Sequence, residues 1–219
     1  MAKQAQIIQL RRHARPKPPD DLLEPAASGR FLPAPALADW LRAVFIDEGG
    51  PLHNPEHQHL QAAEIGVLWT NVGNSRQGRR IIGQAELGEP QGATGKWAKA
   101  RARQQVEEWF GHVPTFIITV DAVYASECDD ASWCALLEHE MLHCGQARDL
   151  FGQPKFTKAG RPAFAMRGHC VEEFVSVVRR YGASATGTAA LVEAANRGPE
   201  IALARIAQAC GTCLGKRAA

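Results

Sequence analysis

The chain has 219 residues, 45% of them hydrophobic and 22% charged, and carries a formal net charge of +2. These values suit a globular protein with a sizeable core, and they exclude a disordered chain, a collagen-like fibre and a nucleic-acid binder that works by bulk charge. Apolar runs such as Phe116–Val120, with one threonine inside, are far short of the roughly 20 residues of a membrane helix, so no membrane partner is expected. Gln4, Gln6 and Gln9 break up Ile7, Ile8 and Leu10 behind the N-terminal basic residues, which argues against a secretory leader. Six cysteines without export are most simply reduced thiols, and the expected location is cytoplasmic.

Residues 1–30, with Arg15-Pro16-Lys17-Pro18-Pro19, read as a flexible basic tail, because proline suits neither helix nor ladder. A compact body is expected over residues 31–185, followed by a helical tail with a CxxC over 186–219. Pro35 opens a helix with Leu37, Leu41, Val44 and Phe45 on one side, stopped by Gly49-Gly50-Pro51. Asn54-Pro55 opens another, running to Ala63. Ile65–Asn71 and Arg79–Ala85, split by the polar loop Gly73–Gly78, predict a hairpin. Trp97–Phe110 returns to helical spacing, and Thr115–Asp121 is a strand rich in β-branched residues. Ala131–Cys144 is a helix, and the stretch holding Gly152, Pro154, Gly160 and Pro162 is irregular. His169–Tyr181 is the next helix, with Val171, Phe174, Val175 and Val178 as its stripe, and Thr186–Ala219 holds two short helices broken at Gly198-Pro199. Strands and helices do not alternate as βαβ units, so the class is α+β.

The chemistry lies in His139-Glu140-Met141-Leu142-His143. Residues four apart on a helix share a face, so the two imidazoles can converge on one cation, and nitrogen ligands at this spacing suit Zn2+. Glu140 projects to the side of that pair, where a general base for an attacking water must stand. A catalytic zinc needs a third protein ligand. His169 is the first choice, 26 positions after His143, with Glu172 and Glu173 as rivals, since a downstream carboxylate is the other common third ligand.

His139-Glu140-Met141-Leu142-His143, followed by Gly168-His169, Glu172-Glu173-Phe174 and Arg180-Tyr181-Gly182, resembles the phage metallopeptidase family, itself similar in style to SprT-like zincins. The resemblance runs roughly from Pro35 to Gly182. It implies a zincin-like fold: a small, mainly antiparallel sheet, an HExxH helix and a following helix that bears the third ligand. It also implies zinc held by His139, His143 and His169, Glu140 as the base, and a protein or peptide as substrate. The chain departs from the family pattern at Cys170, where the family has an aspartate.

Peptide hydrolysis is therefore the expected activity, with Phe116–Val120 offered as a sheet edge to an extended substrate. Two other readings remain: a zinc-binding regulatory module with little hydrolysis, and a DNA-associated protease that uses the basic stretch Lys96–Arg103 with Arg79 and Arg80. Cys210-Gly211-Thr212-Cys213 has ligand spacing, but a zinc ribbon needs two such pairs, so it reads as an exposed, silent or redox-labile pair, with a metal or partner role as the alternative. Cys144 and Cys170 are expected in the core, and His53, His57 and His59 on the surface or at a helix start. Tyr124 and Tyr181 are the candidate donors to an oxyanion.

Overall fold

A strand with apolar residues on both faces is most stable between two neighbours and under two layers, and the chain's most apolar runs take that position. The computed structural model describes residues 13–24, 27–76, 78–184, 187–204, 206, 210 and 211. Its strands in chain order are β1 (Phe31–Pro33), β2 (Ile65–Thr70), β3 (Asn74–Arg76), β4 (Arg79–Ile81), β5 (Gly83–Leu87) and β6 (Phe116–Asp121). The main sheet has the order β1-β2-β6-β5. Its central pair β2–β6 is parallel, with Val67 opposite Ile118, and both flanking pairs are antiparallel. The fold is a mixed α+β one on a small, mainly antiparallel sheet.

Side chains alternate across these strands. Val67, Trp69, Phe116, Ile118 and Val120 enter the main core, while Leu68 and Ile117 point the other way and meet Val106. Val106 lies on the helix Lys96–Phe110, which is α2 after α1 (Pro35–Leu41). The hairpin expected between Ile65–Asn71 and Arg79–Ala85 is reduced to the short ribbon β3–β4. Beyond it the two arms separate, because the doubly buried β2 finds a β-branched partner in β6 and β5 takes β6's other side. Since β6 is interior, it cannot be the free edge expected for it. On that side of the sheet the outer strand is β5.

After α3 (Ala122–Glu127) comes α4 (Asp130–His143). Its start is fixed by Asp129, whose carboxylate accepts from the Ser132 amide at 2.8 Å and the Ser132 hydroxyl at 2.9 Å. Trp133, Leu136, Leu137 and Met141 are fully buried, and Trp133 stacks on Trp69 with centroids 5.7 Å apart. Residues 13–24, expected as part of a tail, dock on the body. The Arg15 guanidinium lies 4.9 Å from the Trp133 ring centroid and donates to the Cys128 carbonyl, and Leu22 enters the core. A proline-rich segment cannot pair in a ladder, yet it can lie extended over an apolar surface.

The stretch after α4 is more ordered than expected. β7 (Cys144–Gln146) and β8 (Phe164–Met166) form an antiparallel ribbon, and the arm between them folds back with bonds such as Ala147 N–H to Ala163 O at 2.7 Å. Conversely, the helix expected at His169 begins only at Val175: α5 spans Val175–Tyr181 and α6 spans Ala189–Arg197, and neither buries a residue. Phe174 and Val175 are exposed and Val171 and Val178 only half-buried, so the apolar stripe read from spacing is poorly covered and the helix is short. Cys213 lies outside the described residues. Among the described residues no helix is long and apolar enough to cross a membrane.

The segment expected as a helix from Asn54 is a 3-10 helix, Pro55–Ala62, capped by the Asn54 side chain on the Glu56 amide. It presses against α4 from behind: Asn54 Nδ2 donates to Glu138 at 2.8 Å, and a His59 ring nitrogen meets the Cys144 carbonyl at 2.7 Å. His57, expected on the surface or at a helix start, lies in the first turn of the 3-10 helix and is fully buried. Burial, with His59 next, pushes its pKa from 6.5 down to about 4. The folded chain then binds fewer protons here than the unfolded chain, so this contribution to stability is complete above pH 6.5 and is lost as pH falls toward 4. Urea unfolding at pH 7 and pH 4 should show wild type losing roughly 3 kcal/mol more than His57→Leu over that interval. Equal losses in the two proteins would contradict the assignment.

Candidate metal centre

An i, i+4 pair of histidines at the end of a buried helix brings two imidazoles together, provided each ring is held in the right rotamer. His139 and His143 are such a pair on α4, with Nε2 atoms 3.3 Å apart. His143 is the last residue of the helix and the residue before β7. Its backbone carbonyl accepts from the Arg167 amide at 2.8 Å, which extends the β7–β8 ladder by one step. Its ring Nδ1 lies 2.6 Å from the Arg167 carbonyl. A carbonyl only accepts, so Nδ1 carries the proton and Nε2 presents a lone pair.

The ladder delivers the third histidine. Two residues past Arg167, His169 swings back so that its Nε2 stands 3.4 Å from that of His139. The ligand nitrogens of His139, His143 and His169 all lie within 4.8 Å of one another. The structure therefore brings together the three histidines singled out from sequence, with His169 on an irregular segment rather than at the head of a helix. Glu172 and Glu173 are exposed and stay outside the cluster, and Glu173 turns back to accept from the Phe174 amide.

The spacing bears on what the cluster can hold. Zinc–nitrogen bonds of about 2.0–2.1 Å in a tetrahedron put neighbouring ligand nitrogens about 3.3 Å apart, which agrees with the 3.3 Å and 3.4 Å found. Direct hydrogen bonding explains the pair contacts poorly, because one Nε2 proton on His139 cannot serve both neighbours. Burial first, then His143 and His169, lowers the His139 pKa from 6.5 to about 4. Burial also lowers that of His143, against the Arg167 carbonyl, which raises it. Neutral imidazoles are the ligating form, so the donor set fits a divalent cation of borderline softness.

Glu140 is fully buried beside the cluster, with a carboxylate oxygen within 4.8 Å of a His139 nitrogen and of the Cys210 sulfur. Its place depends on Gly83 of β5: a Cβ there would come within 2.9 Å of Leu136 Cδ1 and 3.1 Å of Glu140 Oε1. The Cys210 sulfur, read from sequence first as part of an exposed pair, stands 3.4 Å from His143 Nε2. Nothing local announces that contact, since 67 residues separate the two. Cys144 is buried as expected, but Cys170 is exposed and takes a hydrogen bond from Arg167, because its segment is irregular rather than a packed helix. Tyr181 is exposed, and Tyr124 lies among Cys128, Asp129 and Arg15. In the basic stretch, Arg103 is committed to Glu89 at 2.6 Å and Glu107 at 3.0 Å.

No curated protein and no solved structure shows significant similarity to the chain. One family model does match, over residues 38–196, well beyond half of the chain and across all three clustered histidines and Glu140. By that match the chain belongs to the family described as "Putative phage metallopeptidase".

Proposed function

We propose that the chain is a zinc-dependent peptidase whose centre is His139, His143 and His169 with Glu140 as general base, within a catalytic unit of residues 31–185. The observation that carries the reading is the convergence of three imidazoles, with His139 Nε2 3.3 Å from His143 Nε2 and 3.4 Å from His169 Nε2, beside the buried Glu140. It accords with the family, which implies a metal and hydrolysis of peptide bonds. Zn2+ in this donor set supplies a Lewis acid that polarises a carbonyl and makes water acidic enough to give up a proton near neutral pH.

The residues of the chain do the rest. Glu140 takes a proton from the attacking water and passes it to the leaving amine. Its burial and the wall formed by Leu136 and Gly83 keep the carboxylate in one orientation. The Arg167 carbonyl holds His143 in its ligating tautomer. An extended peptide finds main-chain partners along the outer side of β5, where the Gly83 carbonyl points away from β6 toward a neighbouring strand.

Purified wild type should hold one zinc per chain and cleave an unstructured substrate such as casein. Glu140→Gln should keep the zinc and lose at least about 100-fold in rate, whereas His169→Ala should bind zinc far more weakly. Cleavage unchanged in Glu140→Gln, or zinc affinity unchanged in His169→Ala, would sink the reading. Gly83→Ala should fold and retain zinc but lower kcat by roughly tenfold or more, because the added methyl displaces Glu140. A kcat equal to that of wild type would show that Glu140 does not depend on this wall.

A further inference from the structure

The C-terminal segment reaches the centre by a route that has nothing to do with the family's ligand set. Ile201 and Ile206 pack against the main core, and residues 199–204 run beside α4 at Asp130, Cys134 and Glu138. The chain then bridges the outer side of β5: Cys210 pairs with Gly83 in parallel sense, and the Gly211 amide donates to the Gly83 carbonyl at 2.7 Å. Gly211 is buried, and a Cβ on it would come within 2.7 Å of Gln84 Oε1 and 2.8 Å of Ile81 Cγ2, so the segment is seated closely. The Cys210 sulfur is 3.4 Å from His143 Nε2 and within 4.8 Å of a ligand atom of His139 and of Glu140. A zinc–sulfur bond of about 2.3 Å beside a zinc–nitrogen bond in a tetrahedron gives a sulfur–nitrogen separation of about 3.5 Å.

We infer that Cys210 is the fourth ligand of this centre and that residues 210–211 form a built-in inhibitory strand, occupying both the water's place beside Glu140 and the β5 edge that a peptide substrate needs. The inference rests on the zinc reading above and adds its regulation. On coordination the Cys210 thiol releases its proton to solvent and the sulfur binds as thiolate, with no change of oxidation state. With four protein ligands the site is closed, as in structural zinc centres, and catalysis requires the sulfur to leave. The strand is tethered, so it competes with substrate at a high local concentration although it makes few contacts. It detaches without unfolding the core, since the apolar anchors Ile201 and Ile206 precede it.

The test is cobalt substitution of the full-length chain, which reports on sulfur ligation independently of turnover. One Co2+ per chain should give a near-ultraviolet sulfur-to-cobalt charge-transfer band. Cys210→Ser should abolish that band while still binding one Co2+, and Cys213→Ser should keep it. In the zinc form, Cys210→Ser and a chain ended after Ile206 should cleave casein about tenfold faster than wild type, and Cys210→Ser with Glu140→Gln should be inactive. Full cobalt binding without the band would overturn the inference and leave the three-histidine reading standing. No cobalt binding by the full-length chain would remove both. A band that depends on Cys210, with no gain in rate from either change, would refute the inhibitory role.

Discussion

The hydrogen bond from His143 Nδ1 to the Arg167 carbonyl, 2.6 Å long, ties together the parts of the molecule that matter most. It lies at the junction of α4 with the β7–β8 ribbon, where the ladder bond from the Arg167 amide to the His143 carbonyl closes the same step. Together they fix the His143 tautomer, orient the ring and set the start of the segment that carries His169. A strand advances about 3.3 Å per residue, so a register slip of one residue in the ribbon would remove His169 from the cluster and turn its side chain to the opposite side. Arg167 is held in turn by Glu56 at 3.0 Å and by the Cys170 sulfur at 3.2 Å. The exposed arm between β7 and β8 can thus vary without disturbing the imidazoles, because its closed end is what sets their geometry.

What could be read from the sequence divides along the same line between local and distant contacts. His139, Glu140 and His143 were legible because an α-helix converts an interval of four into a shared face. α4 is marked by its own cap and its own apolar residues. His169 was legible as a residue type at a workable distance, but not in its setting: Val171, Phe174, Val175 and Val178 have helical spacing, yet none of them is buried, and the helix retreats to Val175. β6 was legible as a strand from its β-branched residues. Its interior position was not, since that depends on which of two apolar runs pairs with which, a choice made by burial on both faces rather than by any turn signal.

Histidines near the site show the same limit. His53, His57 and His59 are alike in the sequence, separated only by a proline and single residues. Yet His57 is sealed behind α4 while a His59 ring nitrogen reaches the Cys144 carbonyl. The difference comes from a 3-10 helix of three residues per turn, which turns His57 inward, toward Glu138 and α4. A helix of 3.6 residues per turn, as the Asn-Pro start suggested, would distribute the same residues over other faces.

Gly83 concentrates three demands on one backbone position. It pairs with Val120 on one side, receives the Gly211 amide on the other, and leaves room below for Leu136 and Glu140. A Cβ there would crowd both side chains, so glycine is favoured by the carboxylate's position and not by a turn. The same glycine carbonyl is the nearest main-chain acceptor for anything lying along the outer side of β5. A strand placed there lies beside Glu140 and the imidazoles at once. If these groups form the proposed centre, whatever occupies the edge also controls it, and recognition of main chain and access to the metal are a single event. On that proposal a tethered segment that pairs at Gly83 needs only one well-aimed side chain to close the site, and Cys210 stands where that side chain must be.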